Sequence, residues 1–522
     1  MIEMPNVIGF TQEGAVKELE SRGLVPSCFM VVNDGSYASG CVVSCSAEAG
    51  TSVEAGSVIV VYIAADPSVE NVPATPEQPA ASGNTDTADG SAGSPRRLHG
   101  IRHGLSKIRK SERAKRGNHS MNSAEHYTTR YLETDDLDQY NALLRYTFQV
   151  TEEELTATGW KDDEIKQSKF PVLERADVLG CFDGDTLVSQ FAVYPLKMNI
   201  YDEVYHVGFV TSVCTYPEYT GQGIMKKLMI QGLTRMYEEG KTFALLYPYS
   251  IPLYHHLGWE IVSNKISFNI KDRQIPTKVQ APGYVRRVAW DNTDFHELHS
   301  HFASVTHGCL FRNNLAWEEY WRWDEDDTNV AIYYNMKDKP CGYMVYLIKN
   351  DIMHIKEMIY LNREAQKGLW EYIHAHDSMI DEVHGNTYFS EPIAFEMDDG
   401  DIKESIRPYA MGRIVDVESF LEDYPCDPDG GELCIDLEIE DTLLPWNNRT
   451  FTVRFADGHC KVVNAPAEYK LKMGIGTLST LLLGYKTADR LYELERIEGR
   501  EEAAERLDDV LFHKIPYISD YI

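Results

Sequence analysis

Two stretches of the chain combine residue types and spacings suited to holding a phosphorylated ligand beside a proton donor. The first runs Val213-Cys214-Thr215-Tyr216-Pro217 and then Thr220-Gly221-Gln222-Gly223-Ile224-Met225. An apolar strand, a proline and a glycine turn here lead into an amphipathic segment. Such a turn leaves backbone N–H groups without partners at a helix N-terminus, where the helix dipole adds partial positive charge. That combination suits a pyrophosphate. Glycines at 221 and 223 let the backbone approach the ligand without a Cβ in the way. Lys226 and Lys227 add charge in the first turn. A lone G-x-G is usually an ordinary turn, so the second stretch matters. It runs Ser250-Ile251-Pro252-Leu253-Tyr254-His255-His256-Leu257-Gly258-Trp259. Pro252 opens a short helix carrying Tyr254, Gly258 closes it and Trp259 begins the return.

The elements that must position these residues follow from periodicity. Met225, Leu228, Met229, Leu233 and Met236 fall on one helical face, predicting a helix from Ile224 to Glu239 that Gly240 stops. Thr242–Tyr247 reads as the next strand. Upstream, Thr128–Leu132 reads as a strand and Asp135–Phe148 as a helix. Val178–Asp183 and Thr186–Tyr194 form a predicted hairpin around Gly184-Asp185, followed by a long strand, Glu203–Thr215. Strands and helices alternate as in an α/β (α+β) fold.

The two stretches together resemble the GNAT superfamily of acyl-CoA-dependent N-acetyltransferases. Its motif A is "Q/R-x-x-G-x-G/A" after a strand, and its later motif is roughly "F-Y-x-x-x-G-F". Thr220 stands where Arg or Gln is usual, and Met225 where Gly or Ala is usual. Backbone groups do most of the cradling, so weaker rather than absent cofactor binding is expected. From about Tyr127 to Ile522 the chain is similar to the Eis-type (enhanced intracellular survival) acetyltransferases. These carry a GNAT domain, a degenerate GNAT-like domain and a sterol-carrier-like domain. Here Trp317–Trp323 and Val330–Leu361 read as helix then strands without a glycine turn. Pro408–Val417 is similar to the family's lead-in to its last domain. Glu432–Ile439, Arg449–Phe455 and Gly458–Asn464 read as sheet, and Ile475–Leu483 and Ala488–Ile497 as helices. The expected divisions are a catalytic GNAT domain at 124–270, the degenerate copy at 271–405 and the sterol-carrier-like domain at 406–522.

The resemblance implies a mechanism. Acetyl-CoA is the donor and an amine the acceptor, with no metal. Tyr254 matches the general acid, a phenol of ordinary pKa ~10. The base would be the terminal carboxylate of Ile522, where the family has an aromatic residue. An unperturbed α-carboxyl, near ~3.5, is a weak base unless desolvated. An ordinary docked terminus explains the apolar ending Pro516–Ile522 nearly as well. Val213 and Thr215 would pair with the pantetheine arm, with Cys214 a wall residue of that strand. Gly221, Gln222, Gly223, Ile224, Met225 and Lys226 would hold the pyrophosphate, and Tyr249 and Ser250 would lie beside the thioester. His255 and His256 read as helix-surface residues. A homo-oligomer, a hexamer in the family, is implied as well.

Residues 3–66 form a separate pattern. Thr11 reads as an N-cap, Gly14–Arg22 as a helix and Gly23 as its stop. Cys28–Asn33, Gly40–Cys45 and Ser57–Ile63 read as strands. Ala49-Gly50-Thr51, Val53 and Gly56-Ser57-Val58 make the segment similar to a PASTA domain. That implies docking to a peptidoglycan fragment, although a small spacer or protein-docking module fits equally. Residues 67–123 are composed like a flexible linker, with a basic stretch at 96–116.

With 50 Lys and Arg against 81 Asp and Glu, the net charge of −31 argues against general nucleic-acid binding and favours cationic small molecules. The 10 cysteines show no CxxC pairs, which points to free thiols rather than a disulfide or zinc framework. No apolar run is long enough to span a bilayer and no signal peptide is visible, so the expected location is the cytoplasm. Two other readings stand beside the acetyltransferase: an aminoacyl-tRNA-dependent cell-wall transferase, and a non-catalytic PASTA/GNAT scaffold.

Overall fold

The computed structural model describes residues 2–31, 38–45, 47, 49–53, 58–64, 127–151, 167–276, 280–322, 327–422 and 424–522. The expected linker and basic stretch at 67–123 lie outside the described residues. The chain divides into two compact units, Met1–Gly93 and Ser94–Ile522. No helix among the described residues is long and apolar enough to cross a membrane.

In the first unit one helix, Gln12–Ser21, accompanies a three-stranded sheet. Thr11 caps that helix, its Oγ1 accepting the Gly14 N–H at 3.3 Å. Val58–Ala64 is the central strand, parallel to Val25–Val31 and antiparallel to Val42–Cys45. Met4, Val7, Ala15, Leu19, Leu24, Val42, Ile59, Val61 and Ile63 form its core.

Three sheets build the second unit. The first contains β1 (Thr128–Tyr131), β2 (Asp177–Asp183), β3 (Thr186–Ile200), β4 (Glu203–Thr215), β5 (Phe243–Leu246), β6 (Glu260–Ile261) and β7 (Met411–Ile414), in the order β6-β7-β5-β4-β3-β2-β1. Leu310–Phe311 adds a short pairing to β3. Helix α1 (Leu137–Phe148) packs on β3 and β4, while α2 (Ile224–Glu238) is the crossover that makes β4 and β5 parallel. Leu228, Met229, Leu233 and Met236 on α2 are buried against Phe191, Val193 and Val210. Gly208 and Gly232 sit where a Cβ would meet Met236 and Phe191 at 2.6 and 2.2 Å, so close packing of helix on sheet depends on both.

The second sheet repeats this plan, with seven strands and a parallel pair, Ile352–Tyr360 and Glu382–Thr387, bridged by the helix Arg363–His374. The third has five strands around Leu433–Glu440 and Tyr469–Gly474, covered by the helices Ile475–Leu482, Ala488–Glu493 and Glu501–Val510. The helix expected to reach Ile497 stops at Glu493, because Glu495 turns left-handed (φ 56°) and Ile497 opens a strand.

The sheets interleave in sequence. Asn264–Lys271 belongs to the second sheet, between Glu382–Thr387 and Lys403–Pro408. β7 lies far downstream, yet it inserts between β5 and β6 of the first sheet. Consecutive blocks ending at residues 270 and 405 therefore assign each of these strands to the neighbouring sheet's block.

Candidate active site

The site begins where β4 and β5 part. Their pairing ends at Val210↔Leu246, and the rest of β4, Thr211–Thr215, has no register partner on that side. On the other side the β3 pairing shifts between Gln190↔Cys214 and Ala192↔Thr211, so Ser212 and Val213 together oppose Phe191. This is a β-bulge, with Ser212 left-handed (φ 53°). Such a conformation costs about 1–3 kcal/mol in a residue other than glycine. The Tyr140 hydroxyl, fully buried on α1, meets Ser212 Oγ at 2.9 Å and holds the bulge in place. Ser189 Oγ donates to the Cys214 carbonyl at 2.9 Å and meets Thr215 Oγ1 at 2.7 Å, tying the end of β4 to β3.

The glycine turn follows directly. Thr220 Oγ1 donates to the Pro217 carbonyl at 2.8 Å and closes a one-turn 3-10 helix, Pro217–Tyr219. Gly221 and Gly223 both adopt φ 79°, the region that favours glycine. A Cβ on either would meet nothing within 4 Å, so the space facing the turn is open. Gly223 caps α2 without a side-chain hydrogen bond, and the first backbone bond of the helix is Lys227 N–H to Gly223 O at 3.0 Å. The N–H groups of Ile224, Met225 and Lys226 therefore have no acceptor within the helix. The equivalent helix of the second sheet differs: the Asn362 side chain accepts the Ala365 N–H at 2.9 Å and caps it from within.

The structure also accounts for the unusual residues of the turn. Met225 is half-buried and packs on the core beneath α2. Thr220 supplies a turn-closing hydroxyl where a long polar side chain is usual. The side chains of Ile224 and Cys214 lie in the core, so only their backbone faces the front. Burial pushes the Cys214 thiol up to about 12, which removes it as a thiolate nucleophile.

Tyr254 lies on α3 (Ile251–His255), beyond the end of β5. It is 6% exposed, and burial, with a smaller contribution from Cys214, pushes its phenol up to about 12. It stays protonated across the physiological range. Ser250 stands at the N-cap of α3, while the Tyr249 ring is largely in solvent. His255 and His256 point outward, and His255 Nε2 meets Glu260 Oε1 at 2.8 Å. Lys226 and Lys227 are exposed beside the turn.

The last residues run through the molecule to this same place. Tyr517 and Ile518 are buried, and the Tyr517 N–H donates to His307 O at 2.9 Å. Asp520 Oδ1 accepts from Nε of the fully buried Arg312 at 2.6 Å, and the other two nitrogens of Arg312 donate to Glu357 at 3.0 and 2.7 Å. The Tyr409 hydroxyl reaches the carbonyls of Ser519 and Asp520, each at 3.1 Å. Ile522 lies against β4, where Thr211 Oγ1 donates to its main-chain oxygen at 2.9 Å. Tyr247, the first residue after β5, contacts both Tyr409 and Tyr521, with ring centroids 5.3 and 5.0 Å apart.

The fork between β4 and β5 thus gathers the strand residues Val213–Thr215, the turn, the Tyr254 helix and Ile522. Sequence reasoning missed the bulge at Ser212 with its Tyr140 clamp, and the buried arginines Arg312 and Arg413. Arg413 carried a usable signal: it is the one charged residue in the apolar run Ala410-Met411-Gly412-Arg413-Ile414-Val415, which marks a buried strand whose charge needs a partner. Among the described residues no group of three or more His, Cys, Asp or Glu side chains is arranged to hold a metal ion.

The chain is similar to known acetyltransferases over most of its length. Acetyltransferase (GNAT) domain families match residues 128–262 and 308–414, a sterol carrier protein domain matches 417–519 and a PASTA domain matches 2–65. An uncharacterized N-acetyltransferase of Streptomyces griseus is 21% identical over 393 residues, 69% of this chain and 91% of its own. A probable N-acyltransferase from Enterococcus faecalis V583 is 25% identical, with TM-score 0.69, covering 76% of this chain and 100% of that structure. A GCN5-related N-acetyltransferase from Anabaena variabilis (23%, TM-score 0.67) and Eis1 from Mycobacterium abscessus (19%, TM-score 0.62) share the fold over the same 76% of this chain and 100% of their own. The chain is an acyltransferase of the GNAT type, with two GNAT domains followed by a sterol carrier protein domain.

Proposed function

We propose that the protein transfers an acetyl group from acetyl-CoA directly to an amine at the fork between β4 and β5. The observation that carries this reading is the arrival of Ile522 at Thr211, on the one stretch of β4 that has left β5 and leads into the uncapped turn. The open space over Gly221 and Gly223, and the N–H groups of Ile224, Met225 and Lys226, fit a pyrophosphate. Backbone groups of Val213 and Thr215 fit the pantetheine arm, and Tyr249 and Ser250 flank the thioester end. Acetyl-CoA supplies an activated carbonyl with a thiolate leaving group.

In this reading the Ile522 carboxylate holds the acceptor's ammonium and takes its proton. As the N–C bond forms and the C–S bond breaks, Tyr254 gives its proton to the sulfur. The nitrogen's second proton passes to the Tyr254 phenolate, directly or through water, and the Ile522 carboxyl releases its proton to solvent, so that the amide, CoA thiol and one proton are the products. The exposed rings of Tyr247 and Tyr521 beside the carboxylate suit a cationic group, since a cation over an aromatic face gains about 0.5–2 kcal/mol. Together with the net charge of −31, this supports amine acceptors carrying more than one positive charge, of aminoglycoside or polyamine type. A cytoplasmic homo-oligomer, with the PASTA domain docking a peptidoglycan fragment or a protein, completes the proposal.

The test is thiol release from acetyl-CoA with a panel of amines, comparing the unaltered chain, Tyr254→Phe and a chain lengthened by one glycine after Ile522. A fall in kcat of about 100-fold or more is expected for each altered chain, as for loss of a positioned proton-transfer group. Full turnover in both would refute the assigned acid and base.

A further inference from the structure

The glycine that closes the Tyr254 helix and an arginine on β7 explain one another. Gly258 adopts φ +77°, and a Cβ there would lie 2.0 Å from Nη1 of Arg413. Arg413 is fully buried, and its Nη1 passes over that glycine to donate to the carbonyl of Leu257 at 2.6 Å. Its Nη2 donates to both carboxylate oxygens of Asp441, at 2.7 and 2.6 Å. Asp441 is held in turn: Oδ1 accepts the N–H groups of Leu443 and Leu444 at 2.9 and 3.1 Å, and Oδ2 accepts from Asn447 Nδ2 at 3.2 Å. A chain of hydrogen bonds thus runs from the sterol-carrier segment through Arg413 to the residue that ends the Tyr254 turn.

That turn needs outside support. Helix α3 has five residues, too few to be stable alone. Its exit is fixed by the N–H groups of Leu257 and Trp259, which donate to the Tyr254 carbonyl at 2.9 and 3.1 Å. Whatever holds Leu257 therefore holds Tyr254. Stability alone does not account for the ion pair. Two well-packed apolar residues commonly serve as well as a buried pair or better, and Nε of Arg413 has no hydrogen-bond partner. An apolar pair lacks a donor for the Leu257 carbonyl.

We propose that Arg413, oriented by Asp441, is a positioning residue that sets the Tyr254 hydroxyl for proton donation. This rests on the reading of Tyr254 as the proton donor.

The test is a kinetic cycle on the full chain with Arg413→Met/Asp441→Asn, which removes both charges and keeps an acceptor for the Leu443 and Leu444 amides. Thermal melting and acetyl-CoA calorimetry establish that the variant is folded. The expected result is a fall in kcat of about tenfold or more, as misplacement by a fraction of an ångström produces, with the KM for acetyl-CoA within about twofold of the unaltered value. Arg413→Lys, which keeps one donor for Leu257, should recover part of the loss. Added to Tyr254→Phe, the paired substitution should lower kcat no further. A folded variant with undiminished kcat, or the same fold-loss with and without Tyr254→Phe, overturns the proposal. If Tyr254→Phe alone leaves kcat intact, the proton-donor reading falls and this inference with it. If Tyr254→Phe impairs turnover and the paired substitution does not, only this inference falls. Should the paired variant fail to fold, Gly258→Ala reads the same kcat, because it pushes the guanidinium off Leu257 while keeping the charge.

Discussion

Removing Asp520 tests how the chain's end is held. Arg312 is wholly buried between the Trp317 and Tyr320 rings and faces two carboxylates, Asp520 and Glu357. Asp520→Ala takes away one charge-assisted bond but leaves Glu357 to neutralise the guanidinium. The loss is then nearer the about 1.5–3 kcal/mol of a single charged hydrogen bond than the about 3–5 kcal/mol of a stranded buried charge. Two features offset even that: Asp520 Oδ2 has no hydrogen-bond partner, and burial raises the Asp520 pKa, which marks its ionised form as costly. Asp520→Asn keeps an acceptor for Nε and removes the surplus negative charge, so it should cost less than about 1 kcal/mol. Arg312→Ala strands two carboxylates and should cost at least about 3–5 kcal/mol. Urea unfolding should therefore rank Arg312→Ala as most damaging, then Asp520→Ala, then Asp520→Asn. In turnover, Asp520→Ala should lower kcat by about 10²-fold, because Ile522, the proposed base, loses its anchor two residues away. An Asp520→Asn variant as unstable as Arg312→Ala, or a folded Asp520→Ala variant with full kcat, would refute this reasoning.

Three further outcomes follow. Gly223→Ala places a Cβ in open space, so its folding cost should be limited to the about 1–2 kcal/mol of left-handed backbone, while calorimetry should show acetyl-CoA affinity down by about tenfold or more. His307 takes the Tyr201 N–H on Nδ1 at 3.1 Å and gives its Nε2 proton to Leu483 O at 3.0 Å, and burial lowers its pKa from 6.5 to about 4. A lowered histidine pKa means stability is fully present above pH 6.5 and is lost as pH falls towards 4, by at most about 3 kcal/mol, so His307→Gln should flatten the urea midpoint across that window. Gly308→Ala would bring a Cβ to 2.3 Å from Pro516, so it should loosen the tail and lower kcat while acetyl-CoA affinity holds.

Much of the catalytic sheet was legible because its signals are local. The long strand Glu203–Thr215, the turn and the α2 stripe of Leu228, Met229, Leu233 and Met236 lie where periodicity and glycine placement put them. What escaped depends on distance in sequence or on a residue type that carries no signal. Serine rarely adopts a left-handed backbone, so nothing in Val210–Thr215 marks the bulge at Ser212. β7 reads as an apolar strand, but pattern alone cannot place it between β5 and β6, about 150 residues upstream in the chain. Neither Arg312–Asp520 nor Arg413–Leu257 shows a local cue to its pairing, because each joins segments far apart in the chain. Ile522 is singled out by the family resemblance, while its apolar surroundings fit a docked tail equally; the Thr211 contact emerges once the tail is threaded past His307, Arg312 and Tyr409.

The fork of β4 and β5, with its uncapped turn, is the proposed acetyl-CoA site. Amide hydrogen exchange with and without acetyl-CoA tests it most directly. New protection is expected at Val213–Thr215 and at the amides of Gly221–Lys226, with none at the self-capped helix Arg363–His374. Protection elsewhere with these amides unchanged, or no protection at saturating acetyl-CoA, would contradict it.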